Sequence, residues 1–258
     1  MATNQHRSFG FSNNGEIEFI RLTIGDVEEA VDFLNRSYFL NESVCKAAQI
    51  NEKYNTGAIQ GRKELEELCR QVSKDGVTIV AKHVATNKIV SVAFNKMQFV
   101  QPGKPSFFED FREKFCVSEN SICVMDYMIN MDKIVDVFEK FNIECFMEIM
   151  FLATDSNFGQ KRIGFDCVKY SMDLARELSQ GIGLDYINQS LIKNVPKGVG
   201  ALWTSSFSAK IGKELGFHVL NTVPFKDLTF NGQTFDTRIE PVHPVSEQVF
   251  HLFSNQHN

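Results

Sequence analysis

Leu152-Ala153-Thr154-Asp155-Ser156-Asn157-Phe158-Gly159-Gln160-Lys161-Arg162-Ile163-Gly164 runs from the end of an apolar stretch into the start of an amphipathic one. Upstream, residues 145–152 read CFMEIMFL, apolar on both faces except at Glu148. That is the pattern of a central strand covered on both sides. Downstream, residues 162–179 place Ile163, Cys167, Ser171, Leu174 and Leu178 on one helical face, and Asp166, Lys169, Asp173, Arg176 and Glu177 on the other. A strand, a loop and a helix in that order bring free backbone N–H groups and the positive end of a helix dipole to the loop, which suits phosphate. Gly159 and Gly164 permit close backbone approach, and Lys161 and Arg162 add cationic charge. A strand followed by a helix is also common to any α/β fold, so a purely architectural reading of the loop stands beside the phosphate-binding one.

Working outward, residues 16–23 alternate as a strand, and Gly25-Asp26 opens a helix with Val27, Ala30, Val31, Leu34 and Tyr38 in one stripe. Short helices are predicted over 41–51 and 62–73. Residues 77–83 and 89–100 read as a hairpin turned at Ala85-Thr86-Asn87-Lys88, and 120–141 as one helix. Beyond the quoted stretch, 184–198 is weakly patterned, 199–204 a short strand, and 205–215 a helix ended by Gly216. Strands at 217–223 and near 249–253 close the chain. The order β-α-α-α-β-β-α-β-α-β-α-β-β predicts one α/β domain over residues 16–258, with a mostly antiparallel mixed sheet flanked by helices. Residues 1–15, rich in Asn, Ser and Gly, read as a disordered tail.

The composition narrows the function classes. The chain has 258 residues, 43% hydrophobic and 23% charged, the mix of an ordinary globular protein. A net charge of −5 without a basic stripe argues against a nucleic-acid partner. The six cysteines form no C-x-x-C pair and do not cluster with histidine at zinc spacing, so they read as buried free thiols, and no metal is expected. The first 14 residues lack an apolar signal region, and no run is long enough to span a bilayer. The expectation is a cytosolic monomer without a membrane partner.

Three stretches carry a family resemblance. Residues 152–158 followed by Ile163-Gly164 look like the acetyl-CoA motif of GNAT acetyltransferases. Leu202-Trp203-Thr204-Ser205-Ser206-Phe207-Ser208-Ala209-Lys210-Ile211, ending in Glu214-Leu215-Gly216-Phe217, is similar to a late strand–helix–LGF element of the same fold. Tyr38-Phe39-Leu40-Asn41-Glu42-Ser43 resembles the aromatic-aromatic-x-x-Glu stretch of insect arylalkylamine N-acetyltransferases. The set, in this order, spans roughly residues 16 to 253 and implies the GNAT fold and transfer of an acetyl group from acetyl-CoA to a small primary amine.

Carried over by position, the resemblance implies that backbone near Leu152, Ala153 and Thr154 binds the pantetheine arm. The stretch Gly159, Gln160, Lys161, Arg162, Ile163 and Gly164 would hold the pyrophosphate. Glu42 is the implied general base, assisted by Ser208 and Thr204, and Tyr38, Phe39 and Phe207 would line the amine pocket. The sequence departs from the family's (Arg or Gln)-x-x-Gly-x-(Gly or Ala) pattern: Gly159 stands at the first position and Arg162 replaces the middle glycine. A side chain there either crowds the pyrophosphate or swings out and pairs with it.

Plainer readings stand beside each assignment. Glu42 fits equally a charge at a helix start, Ser208 a helix-start hydroxyl, and Tyr38, Phe39 and Phe207 core residues. Glu148 reads first as a structural pair in a strand. The acceptor is an arylalkylamine on the strength of the Glu42 stretch, with agmatine or a polyamine as the alternative. A GNAT fold that binds or senses acyl-CoA without turnover is the reading from a different class, motivated by Arg162.

Overall fold

The computed structural model describes residues 7–254. Its elements are β1 (Ser8–Ser12), β2 (Ile17–Arg21), α1 (Val27–Ser37), α2 (Ser43–Ala47), α3 (Thr56–Ser73), β3 (Ile79–His83), β4 (Lys88–Phe99), α4 (Phe107–Phe115), α5 (Glu119–Ile134), α6 (Val137–Phe141), β5 (Cys145–Thr154), α7 (Ile163–Ser179), β6 (Gly198–Trp203), α8 (Ser206–Glu214), β7 (His218–Pro224), β8 (Thr229–Phe230), β9 (Gln233–Thr234) and β10 (Val245–Leu252). The strands β1-β2-β3-β4-β5-β6-β10-β7 form one sheet in that order, and β8 pairs β9 in a small hairpin. Every neighbour in the large sheet is antiparallel except β5 and β6, which run parallel across the α7 crossover. This is the mixed, mostly antiparallel sheet expected from the sequence.

Two apolar layers cover the sheet. One face packs against α1, α2, α3, α4 and α5 through residues such as Phe33, Leu34, Phe39, Leu65, Leu68 and Phe94. The other packs against α7 through Ile163, Cys167, Leu174 and Leu178, which are the inward residues of its amphipathic pattern. Five of the six cysteines are buried and none is in a disulfide, so they serve as small packing groups. Among the described residues, no helix is long and apolar enough to cross a membrane.

The structure departs from the sequence reading at several elements. The tail expected over 1–15 is corrected from Ser8 onward: β1 pairs with β2 and Phe9 packs on Tyr170, while residues 1–6 of that stretch lie outside the described residues. The helix expected over 120–141 breaks in two. Asp136 stops it by capping α6, accepting from the N–H groups of Phe138 at 2.8 Å and Glu139 at 3.1 Å. Helix α4 has no counterpart in the sequence reading, although Ser106 and Glu109 form a reciprocal capping box at its start. Helix α3 begins at Thr56, six residues ahead of the expected start at Arg62, because Asn55 caps it through the Ala58 N–H at 3.0 Å.

Candidate active site

The site begins with a defect in the sheet. Strand β5 pairs β6 only at Met147, Glu148 and Ile149, then continues to Thr154 while paired to β4 alone. The β4–β5 register shifts between Phe94 and Asn95, leaving Met150 as an extra residue on β5. Such a bulge bends a strand and ends pairing on its free edge. Beyond it, β5 and β6 diverge, and a cleft opens between their ends. The N–H of Asp155 donates to the carbonyl of Val90 at 2.8 Å, so by alternation the backbone of Leu152 and Thr154 faces the gap. Ala153 faces β4 instead, and its carbonyl accepts from Ser91 Oγ at 2.8 Å. Of Leu152, Ala153 and Thr154, two therefore turn their backbone toward the gap.

An open cleft of about 260 Å³ occupies this gap, lined by Glu42, Leu152, Thr154, Thr204, Ser208 and His243 among others. A narrow, largely filled hollow of about 20 Å³ lies beside it, lined by Tyr38, Glu42, Cys45, Tyr127, Glu148 and Thr204 among others. Glu42, Tyr38 and Thr204 border both spaces. The Glu42 carboxylate is held from two sides. Oε2 accepts from the Cys45 N–H at 2.7 Å, making Glu42 the N-cap of α2, and Oε1 accepts from Thr204 Oγ1 at 2.6 Å. Each oxygen keeps a further lone pair for a donor in the hollow. The plain reading of Glu42 as a helix-start charge and the reading as a base thus describe one carboxylate. Burial and the Glu42 charge together push the Tyr38 phenol and the Cys45 thiol well above their usual values, so both stay protonated beside it.

The other expected residues divide. Ser208 lines the cleft, but its hydroxyl is engaged in the capping of α8: it donates to the Ser205 carbonyl at 3.0 Å and accepts from the Ser205 N–H at 3.4 Å. Phe207 is exposed at the rim, edge-on to His243 with ring centres 5.3 Å apart. The expectation that Phe39 lines an amine pocket is corrected: it is 0% exposed and packs in the core edge-to-face on Phe151. Two residues were missed by the sequence reading. Tyr127 closes the hollow from α5, donating to or accepting from Ser246 Oγ. His243 accepts through Nδ1 from the Ser206 N–H at 3.1 Å at the start of α8. Tyr127 stands on the buried side of a recognised helix, but no local pattern marks His243, which lies in an irregular segment before β10.

At the far end of the cleft, the loop after β5 reaches α7. Asp155 caps its tight turn through the Asn157 N–H at 2.9 Å. Gly159 has ordinary dihedrals, whereas Gln160 (φ 61°) and Arg162 (φ 60°) adopt the left-handed region that glycine enters most easily. Arg162 thus holds a backbone conformation that glycine adopts without strain. Its guanidinium swings out, stacking 4.0 Å from the Phe165 ring centre and pairing with Glu214 of α8 at 2.9 Å. The first helical bond of α7 runs from the Asp166 N–H to the Arg162 carbonyl, which leaves the N–H groups of Ile163, Gly164 and Phe165 without helical partners. A Cβ on Gly164 would lie 3.1 Å from Thr154 Oγ1, so glycine lets α7 start against the strand end. Lys161 is exposed, 3.9 Å from Glu16.

No family model and no curated protein matches the sequence. Solved structures do. The chain is similar to arylalkylamine N-acetyltransferase 2 from Aedes aegypti with a TM-score of 0.73 and 21% identity, over 94% of this chain and 100% of that one. It is similar to a mosquito arylalkylamine N-acetyltransferase-like protein 5b with a TM-score of 0.70 and 19% identity, over 92% and 100%. A Drosophila melanogaster polyamine N-acetyltransferase that forms N-acetylagmatine gives 0.68 and 17%, over 92% and 100%. The chain has the GNAT fold. In this chain β5 and β6 part beyond Ile149, and Glu42 at the start of α2 meets Thr204, just past β6, at the mouth of the gap.

Proposed function

We propose that the chain is an acetyl-CoA-dependent N-acetyltransferase of small primary amines, working by direct attack in a ternary complex. The observation that carries this reading is the Glu42 carboxylate, fixed by two hydrogen bonds on the wall shared by the hollow and the β5–β6 cleft. Acetyl-CoA enters the cleft with its pantetheine along the free edge of Leu152 and Thr154, and its pyrophosphate meets the unpaired N–H groups at the start of α7. The amine approaches Glu42 where the cleft meets the hollow.

An alkylammonium has no lone pair with which to attack, so it must first give up a proton; Glu42 receives it directly or through one water. The neutral nitrogen then attacks the acetyl carbon, and free N–H groups on the edge of β5 stabilise the oxyanion. As the intermediate collapses, the C–S bond breaks, its electron pair leaves with sulfur, and the surplus proton passes from nitrogen to the thiolate, directly or through water, giving the amide and CoA thiol. Ser208 and His243 line the same cleft, and a thiolate there would draw the Ser208 hydroxyl from its bond to the Ser205 carbonyl. A Thr204 hydroxyl that donates to Glu42 orients the base.

The test is a titration of acetyl-CoA followed by melting temperature, then a thiol-release assay over an amine panel with wild type and Glu42→Gln. The expected result is stabilisation by acetyl-CoA in both proteins, with turnover at neutral pH lowered by about a hundredfold or more in the variant. The gap should narrow as pH approaches about 10, where free amine is abundant. Stabilisation without turnover on any amine favours an acyl-CoA binding protein, and no stabilisation removes the acetyl-CoA reading.

A further inference from the structure

The cleft and the hollow are two ends of one path along β5. Leu152, Ala153 and Thr154 line the cleft, Glu148, Ile149 and Phe151 line the hollow, and Met150 borders both. Tyr38, Glu42, Leu202 and Thr204 complete the threshold between them. A strand advances about 3.3 Å per residue, so the hollow begins roughly 10 Å inward from Thr154, on the side away from the start of α7. The hollow holds about 20 Å³. A water-sized group needs roughly 10 to 15 Å³ of such space, so the hollow takes one methyl-sized group and little more.

Its walls are apolar and braced. Val44, Leu65, Val124, Met128, Ile149 and Phe151 are each at most 5% exposed. The Phe151 ring packs on Tyr38 at 5.1 Å and on Phe39 at 6.0 Å between ring centres, and Tyr127 is tied to Ser246. A close-packed interior of this kind resists added methylenes, which force side chains off their rotamers. The carboxylates on the wall are engaged. Glu42 accepts from the Cys45 N–H and from Thr204 Oγ1, and Glu148 Oε2 accepts from Gln98 Nε2 at 2.6 Å. An amine of more than about one carbon does not fit this space, so the acceptor reaches Glu42 from the cleft side.

The direction of a thioester on this path follows. With the pyrophosphate at the start of α7, the pantetheine arm runs inward along the free edge of Leu152 and Thr154. Sulfur then lies at the threshold, and the carbonyl oxygen turns to the β5 edge. The remaining substituent of the carbonyl carbon continues inward. We propose that the hollow is the acyl pocket and sets donor length: acetyl fits, each further carbon is resisted, and Val124 and Met128 of α5 fix the limit. The two lie one helical turn apart, so they wall the hollow from the same side. The proposal rests on the reading of the cleft as the acyl-CoA site.

The test runs acetyl-, propionyl-, butyryl- and hexanoyl-CoA with one amine that turns over. Thiol release gives kcat/KM, and calorimetry gives the dissociation constant of each thioester. Wild type should lose about tenfold in kcat/KM for each carbon added beyond acetyl. Met128→Ala enlarges the hollow and should raise the butyryl-to-acetyl ratio at least tenfold. Val124→Ala, a smaller deletion, serves as the second variant if Met128→Ala melts early. Val124→Leu fills the hollow and should lower kcat/KM for acetyl-CoA more than it weakens binding of free CoA. Equal use of hexanoyl- and acetyl-CoA by wild type, or an unmoved ratio in a folded variant, overturns the proposal. The two readings fail separately. Turnover at the same rate for every length refutes the pocket and leaves acetyl transfer standing. In a protein that acetylates no amine, thioester binding that weakens with each carbon and recovers for butyryl-CoA in Met128→Ala refutes transfer and leaves the pocket standing.

Discussion

Replacing Glu148 by glutamine should make the protein more stable, and increasingly so as pH rises. The carboxyl sits on β5 at 3% exposure, and burial pushes it from 4.5 up to about 7 despite the Gln98 amide and the Lys96 charge, which both favour ionisation. Asp132 is raised as well, by burial and then by Glu148. The folded chain therefore keeps a proton that the unfolded chain has released. Above the unfolded value the native state binds more protons than the denatured state, so stability falls with rising pH until the folded group has ionised too. Each pH unit across that window removes about 1.4 kcal/mol, which amounts to about 3 kcal/mol between pH ~4.5 and ~8. Glutamine keeps the shape, accepts from Gln98 as before, and does not titrate. The assay is thermal or urea unfolding of both proteins at half-unit steps across that range. At pH ~5 the curves should nearly coincide. At pH ~8 the variant should melt higher by roughly 6 to 12 °C for a chain of this size. Parallel curves with a constant offset would mean that Glu148 ionises as an ordinary carboxylate, and burial would not be what holds its proton.

Two further outcomes test the edges of the site. Arg162→Gly removes a non-glycine residue from the left-handed region, a gain of about 1 kcal/mol, and loses an exposed ion pair to Glu214 worth less than about 1 kcal/mol. Stability should thus be unchanged or slightly higher, while acetyl-CoA binding weakens a few-fold. Glu214→Gln, which frees the guanidinium, should tighten binding by a similar factor in calorimetry at low salt, and identical affinities across the three proteins would show that Arg162 does not reach the pyrophosphate. Phe39→Ala should cost about 3 to 5 kcal/mol in urea unfolding, as the loss of a fully buried aromatic does, and leave amine KM unchanged in the folded fraction; a selective rise in amine KM would return Phe39 to the pocket.

What the sequence made legible is what obeys a local rule. Strand β5 stands out because it is apolar on both faces, and α7 because its polar and apolar faces separate cleanly. Glu42 and Thr204 were named from separate motifs, and the hydrogen bond between them is the geometry that links those motifs. Two misses had local signals that went unused. Helix α4 announces itself by Ser106 and Glu109, and β1 reads Ser-Phe-Gly-Phe-Ser, a clean alternation hidden by its Asn- and Gly-rich flank. Other features have no local signal. Asp132 and Glu148 lie on different elements, and only the packing of α5 on the sheet brings their charges together. Whether Tyr38 or Phe39 faces the hollow depends on the C-terminal end of α1, where both N–H groups bond to the Leu34 carbonyl and the chain turns away from helix.

The bulge at Met150 explains why a strand so legible still misassigns its own far end. Up to Ile149, β5 alternates simply: Cys145, Met147 and Ile149 face the α7 layer, and Phe146 and Glu148 face the other side. Strict alternation would put Phe151 on the α7 side and Thr154 on the side of α1. The extra residue places Met150 and Phe151 together in the layer beneath α1 and α3, and each later residue changes face. Phe151 thereby meets Tyr38 and Phe39 and forms the floor of the hollow. Leu152 packs toward α7, and Thr154 reaches the start of that helix, beside Gly164. The same insertion ends pairing with β6 and opens the gap. One added residue therefore separates two strand ends, turns the aromatic floor toward Glu42 and brings the strand terminus against the α7 N–H groups. The two substrate spaces of the proposed reaction follow from a single break in a period-two pattern.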